Sequence, residues 1–146
     1  MEISKGWWEG GQCASISYNA TDTISSATQP GGCIATCSGQ AKRRMVQRGI
    51  DEKKLGRLAR IKFQVKQRHT IRFMSACQCG SNAGPSTIYS QQKRFLDKAG
   101  IDKHPREVFQ EDLINLIKRW MSEGDKIMLA IDINEHILER ELSNKL

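Results

Sequence analysis

Lys126-Ile127-Met128-Leu129-Ala130-Ile131, followed at once by Asp132-Ile133-Asn134, is the stretch on which the reading of the fold turns. The run is almost continuously apolar, which predicts a strand buried on both faces. Such a strand needs neighbours on either side, so it predicts a place inside a larger sheet. Asp132 and Asn134 then fall at its C-terminal end, where a strand delivers side chains to the rim of a sheet. An aspartate there can ligate a divalent cation or take a proton from water. An asparagine two residues on can bond a phosphate oxygen or a metal-bound water. The same two residue types also cap helices and open turns.

Upstream, Pro105 is a favoured first-turn residue and predicts a helix start. Phe109, Leu113, Leu116, Ile117 and Trp120 form one apolar stripe, and Gly124 ends the helix. An earlier helix is predicted from a cap at Ser86 or Thr87, through Tyr89, Phe95 and Leu96, to Gly100. Between Cys79 and Pro85 the chain reads as a loop. Residues 57–65 alternate, with Ala59, Ile61, Phe63 and Val65 on one face and Arg60, Lys62 and Gln64 on the other, which predicts a half-buried strand. Residues 69–76 resume the alternation after Lys66-Gln67-Arg68, a hairpin turn, so an antiparallel pair is expected. Cys33 to Cys37 reads as a short strand. Residues 1–30 read as loop, and the chain from His136 onward as helix. The order of strand, strand hairpin, helix, helix, strand predicts a mixed α/β layer fold.

A chain of 146 residues holds one domain of ordinary size or part of a larger one. No apolar run reaches the roughly 18–20 residues of a membrane helix. The start, MEISKGWWEGG, lacks the apolar stretch of a secretory signal, so an intracellular setting with free thiols is the expectation.

The formal net charge of +7 is unevenly spread. Residues 42–72 hold twelve Lys and Arg against Asp51 and Glu52, a net +10, while residues 1–41 sum to −2 and residues 73–146 to −1. A concentrated positive field favours a polyanion, most often nucleic acid. Arg57, Arg60 and Lys62 are the candidate phosphate contacts within it; a solvated face is the plain alternative.

The remaining motifs each admit a plain reading as well. Cys33, Cys37, Cys77 and Cys79 could bind zinc if their segments met, yet neither pair has zinc-knuckle spacing, and strand alternation puts Cys33 and Cys37 on one packed face. No thiol has an evident His–Asp partner. Trp7 and Trp8 suit base stacking or core packing. Tyr89 to Arg94 suits a phosphate groove or a solvated helix face.

Taken in order, GGCIAT, LGRLARIKF, IRFMSACQCGSNAGPSTIYSQQKRF and PREVFQEDLINLIKRWMSEGDKIMLAIDINE resemble the endonuclease/exonuclease/phosphatase superfamily. The likeness is to its deoxyribonuclease I-like, retroelement-type endonucleases. It covers residues 28–136 and leaves 1–27 as an irregular N-terminal segment. The resemblance implies one partial domain, a partial four-layer α/β sandwich, hydrolysing phosphodiesters with Mg²⁺ or Mn²⁺. Asp132 would then bind the metal and activate the attacking water, and Asn134 would hold the scissile phosphate or the metal shell. Cys77 falls where the family carries a phosphate-holding tyrosine, and Asn82 in a loop of further polar contacts. Ala130 replaces a family glycine, and the upstream metal-binding glutamate and the C-terminal Asp-His motif find no match. The expectation is an endonuclease-like domain with impaired activity and nucleic acid, DNA favoured, as partner. The competing readings are a non-catalytic nucleic-acid-binding remnant and a phosphatase of the same fold.

Overall fold

The computed structural model describes residues 13–18, 31–66 and 69–134. In chain order the elements are β1 (Cys13–Tyr18), β2 (Gly32–Cys37), α1 (Gly39–Arg43), β3 (Met45–Ile50), β4 (Leu58–Gln64), β5 (Thr70–Cys77), α2 (Ile88–Lys98), α3 (Pro105–Ser122) and β6 (Lys126–Asp132). The expected α/β class holds. β3, β4, β5 and β6 lie side by side in one mixed sheet, antiparallel except for the parallel pair β5–β6. A parallel pair needs a long crossover, which α2 and α3 provide. β1 and β2 form a separate antiparallel hairpin.

Alternation along β4 and β5 creates two faces, and each has its own cover. On one face Ala59 and Ile61, with Phe63 and Phe73 beside them, pack against Cys33, Ala35 and Cys37 of the hairpin. On the other, Leu58, Met74 and Ala76 meet Phe109, Leu113, Leu116 and Trp120 of α3. Full burial of each Leu, Ile, Phe or Met side chain among these is worth about 1.5–3 kcal/mol. The layers are therefore helix, four-stranded sheet and two-stranded hairpin.

The two helices predicted between Ser86 and Gly124 stand, and the one predicted from His136 onward lies outside the described residues. Thr87 caps α2 by accepting the Ser90 N–H at 3.3 Å, and Pro105 sits in the first turn of α3. Gly100 and Gly124 follow the helix ends with φ of +70° and +80°. The expected antiparallel pair also stands, in register from Leu58 opposite Ala76 to Gln64 opposite Thr70. Of its turn, Gln67 and Arg68 lie outside the described residues, as do Trp7, Trp8, Glu135 and His136.

Three expectations are corrected. Residues 13–18 form a strand rather than loop, because they complete β2's hydrogen bonding. Residues 57–65 are covered on both faces, since α3 closes the side that carries Arg60 and Lys62. Lastly, β6 is an edge strand with one open face among the described residues. Ile127, Leu129 and Ile131 turn toward α3, whereas Met128 is 59% exposed, because the hairpin lies over β4 and β5.

The helix-side face carries a polar problem and its solution. Lys62 and Arg72 project from adjacent strands toward α3, and Asp125, at the mouth of β6, receives both. Its carboxylate accepts from Lys62 Nζ at 2.9 Å, from Arg72 Nε and from Thr70 Oγ1. Arg72 also bonds Glu123 at 2.7 Å and stacks on Trp120 with Cζ 4.7 Å from the ring centroid. Burial opposes ionisation of Asp125, but the hydrogen bonds from Thr70, Lys62 and Arg72 outweigh it and hold the carboxyl at about 2, below its ordinary 3.8. A depressed carboxyl contributes stability that is complete above pH 4 and lost as pH falls toward 2. Asp125→Asn should lower unfolding free energy at pH 7 by about 3 kcal/mol, because it leaves the half-buried Lys62 without its acid and the buried Arg72 with only Glu123. Urea titrations at pH 7 and pH 3 should show the gap between native and variant chains narrowing in acid.

Candidate functional site

The parallel register of β5 and β6 sets Asp132 directly beside Cys77. The two strand ends are laced together just beyond that row. Gln78 N–H donates to the Asp132 carbonyl at 2.8 Å, and the fully buried Gln78 side chain donates to the Ile133 carbonyl at 3.0 Å. Gln110 of α3 in turn donates to Gln78 Oε1 at 3.3 Å. Two buried glutamines thus hold the loop that presents the site to the helix beneath it.

Asn134 closes the turn in a left-handed conformation, φ +46°, one that asparagine tolerates better than most residues. Its backbone N–H donates to Asp132 Oδ1 at 3.1 Å, and its side-chain Nδ2 donates to the Gln78 carbonyl at 2.7 Å. The first bond orients the exposed carboxylate. The second fixes the amide and leaves Oδ1 as the oxygen it can offer a ligand. Nδ2 also lies 3.9 Å from Cys77 Sγ. Asp132, Asn134 and Cys77 are therefore one cluster.

Arg106, in the first turn of α3, donates to the Asn134 carbonyl at 3.4 Å. It brings a positive charge to the turn and was invisible in the motif order, since only the folded helix N-terminus carries it there. Gln78 was missed for the same reason.

The other sequence candidates stand elsewhere. Asn82 lies in the exposed loop after Cys79, where its Oδ1 accepts the Gly84 N–H at 3.1 Å and closes a turn. The Arg57 side chain is 2% exposed and bonds Asp51 at 2.7 Å and Asp112 at 2.8 Å. Arg60 packs on Trp120, and Lys62 is held by Asp125. Lys62 pairs with Arg72, five positions along β5 from Cys77, roughly 17 Å at about 3.3 Å per residue. These three cations serve the interior rather than a phosphate at Asp132.

The thiols near the turn are quiet. Burial, with Cys77 nearby, pushes Cys33 up to about 12, and Cys33 donates to the Arg57 carbonyl at 3.2 Å. Burial pushes Cys79 up to about 11 and, together with the Asp132 charge, raises Cys77. A thiolate is the nucleophile, so this setting disfavours attack by these thiols. No family model, curated protein or solved structure matches the chain.

Two outcomes check this geometry. At pH 8, iodoacetamide should modify Cys33, Cys77 and Cys79 at least tenfold more slowly in the folded chain than in urea, read by mass spectrometry. Asn134→Ala should cost about 1–2 kcal/mol in urea unfolding, because alanine resists the left-handed conformation, whereas Asn134→Gly should cost less.

Proposed function

We propose that Asp132 and Asn134 belong to the phosphodiester-hydrolysing site of an endonuclease-like domain. The carrying observation is the Asp132–Asn134 turn at the C-terminal end of β6, with its carboxylate exposed and oriented by the Asn134 N–H. The motif order described above supports the same reading. In finer form the fold would be a sandwich of the deoxyribonuclease I type. Support for that comes from the β1–β2 hairpin packed face to face on the sheet that α3 backs.

The donors at the turn suit Mg²⁺ or Mn²⁺. A carboxylate and an amide oxygen are hard ligands, and such ions keep several waters while using one or two protein carboxylates. When bound, the ion would supply Lewis acidity and a more acidic water. The chain's own part is simpler. Asp132 accepts a proton from a water held against its carboxylate. Asn134, locked by Gln78, positions a phosphate oxygen or the metal's water shell. Arg106 offers positive charge beside the turn, where a phosphodiester in transition gains negative charge.

Nucleic-acid binding without cleavage is the second reading, and a separate observation favours it. Lys42, Arg43, Arg44 and Lys66 are exposed at the opposite end of the sheet, where Gln64 N–H bonds the Arg44 carbonyl. That end lies roughly 23 Å from Asp132 at about 3.3 Å per residue. Phosphate contacts there would hold a polyanion with no need of the Asp132 turn.

Nicking of supercoiled plasmid with Mg²⁺ or Mn²⁺ separates the two. The hydrolase reading expects cleavage that Asp132→Ala lowers at least about a hundredfold; equal cleavage by that variant would overturn it. The binding reading expects no cleavage, and a salt dependence of DNA binding that Lys42→Gln, Arg43→Gln and Arg44→Gln together flatten.

A further inference from the structure

A cavity of about 200 Å³ opens between the loop after β3, strand β4 and the middle of α3, on the helix side of the sheet. Four cations line it: Lys53, Arg57, Arg60 and Arg119. Two of them are fully engaged. Arg57 is gripped by Asp51 and Asp112, and Lys53 bonds both Asp112 oxygens at 2.6 Å. The other two share a single carboxylate, Glu52, at 3.1 Å from Arg119 and 3.7 Å from Arg60. The cavity thus has one guanidinium more than its acids can match.

The surplus falls on a buried atom. Among the described residues Arg60 Nη1 is shut away from solvent without a hydrogen-bond partner, and the nitrogen that meets Glu52 at the cavity is Nη2. Buried donors are almost always satisfied, so this orphan leaves the Arg60 charge under-neutralised. The guanidinium is held in place. Its partner across the ladder is Gly49, where a Cβ would stand 2.6 Å from Arg60 Nε, and its Cζ lies 5.5 Å from the Trp120 ring centroid. Burial depresses its pKa; Glu52 opposes that, and repulsion by Arg119 and Arg72 adds to it. An entering anion would offset the cost of burial and screen the repulsion. Glu52 is 65% exposed and can swing out to admit one.

We propose that this cavity binds one phosphate group, with Arg60 as the fixed inner contact, Arg119 as the outer one, and Glu52 as a built-in competitor. A planar guanidinium pair is suited to a tetrahedral oxyanion, which can take parallel N–H bonds from both. The phosphate can be free inorganic phosphate or the terminal phosphate of an oligonucleotide, and both present the same oxygens. The site stands apart from the Asp132 turn: plasmid nicking reads one and ligand binding the other.

Calorimetry on the full chain, at constant ionic strength with chloride as balance, tests the proposal. The probes are inorganic phosphate and a tetranucleotide with and without a 5′-phosphate. Saturable one-site binding of inorganic phosphate, or of the 5′-phosphorylated oligomer over its unphosphorylated twin, is expected, and which probe binds tells the source. Arg60→Gln and Arg119→Gln should each weaken it at least tenfold, and Glu52→Gln should tighten it severalfold. If Arg60→Gln fails to fold, Arg119→Gln decides, since that side chain is half exposed and outside the core. No saturable binding of either phosphate probe by the native and Glu52→Gln chains would overturn the site, as would unchanged affinity in Arg119→Gln.

Discussion

Asp125 is the point from which the rest of the sheet is measured. It is the residue that precedes β6, and its buried carboxylate is gripped by Thr70 and Arg72 of β5 and by Lys62 of β4. A strand's pairing register is specified wherever one face is buried, and a slip by one residue exchanges its faces. Here the register has an ionic lock as well as an apolar one. With Asp125 fixed, Lys126 must pair with Ile71, and six residues later Asp132 must stand beside Cys77. Ile127, Leu129 and Ile131 then turn toward α3, and the site residues inherit their position from a carboxylate at the other end of the strand.

That arrangement gives the two ends of the sheet different physics. At the Asp125 end, cations are consumed by acids and by the Trp120 ring, and the result is rigidity. At the Asp132 end, the polar groups are chiefly amides and backbone carbonyls: Gln78, Gln110 and Asn134 tie loop, helix and strand together. Neutral hydrogen bonds of this kind hold a carboxylate in position without neutralising it. A charge intended for a ligand is better positioned by amides than by a salt bridge, because an ion pair would compete with the ligand.

Much of the framework was legible because alternation and helical stripes are local signals. Ala59, Ile61, Phe63, Ile71 and Phe73 marked β4 and β5, and Phe109, Leu113 and Trp120 marked the buried stripe of α3. What escaped depends on partners distant in the chain. β3 contains Gln47, Arg48 and Gly49, and its glycine makes room for Arg60 rather than for a strand's own packing. β6 looked interior because Met128 and Ala130 are apolar, yet an apolar residue on an open face is common and composition cannot say which face is covered. Within the site, Asp132 and Asn134 were legible as a pair, while Arg106 and Gln78 arrive only through the start of α3 and the β5–β6 register.

The basic stretch carries the most general lesson. From residue 42 to residue 72 the sequence suggests one continuous electrostatic footprint, and Arg60 and Lys62 fall on what alternation labels the polar face. Polar was there equated with solvent-facing. Once α3 lies over that face, the cations of this stretch become interior groups that must be paired, and many of the acids come from far along the chain: Asp112 for Arg57, Glu123 for Arg72, and Asp125 for Lys62 and Arg72. A cation held by a buried acid adds little to the field outside, whereas exposed ones such as Lys42, Arg43 and Arg44 add their full charge. The net +10 of the stretch therefore overstates its outward field. Among the described residues, cations left without a paired acid include the exposed Lys42, Arg43, Arg44, Lys54 and Lys66, while Arg60 and Arg119 share one carboxylate at the α3 cavity.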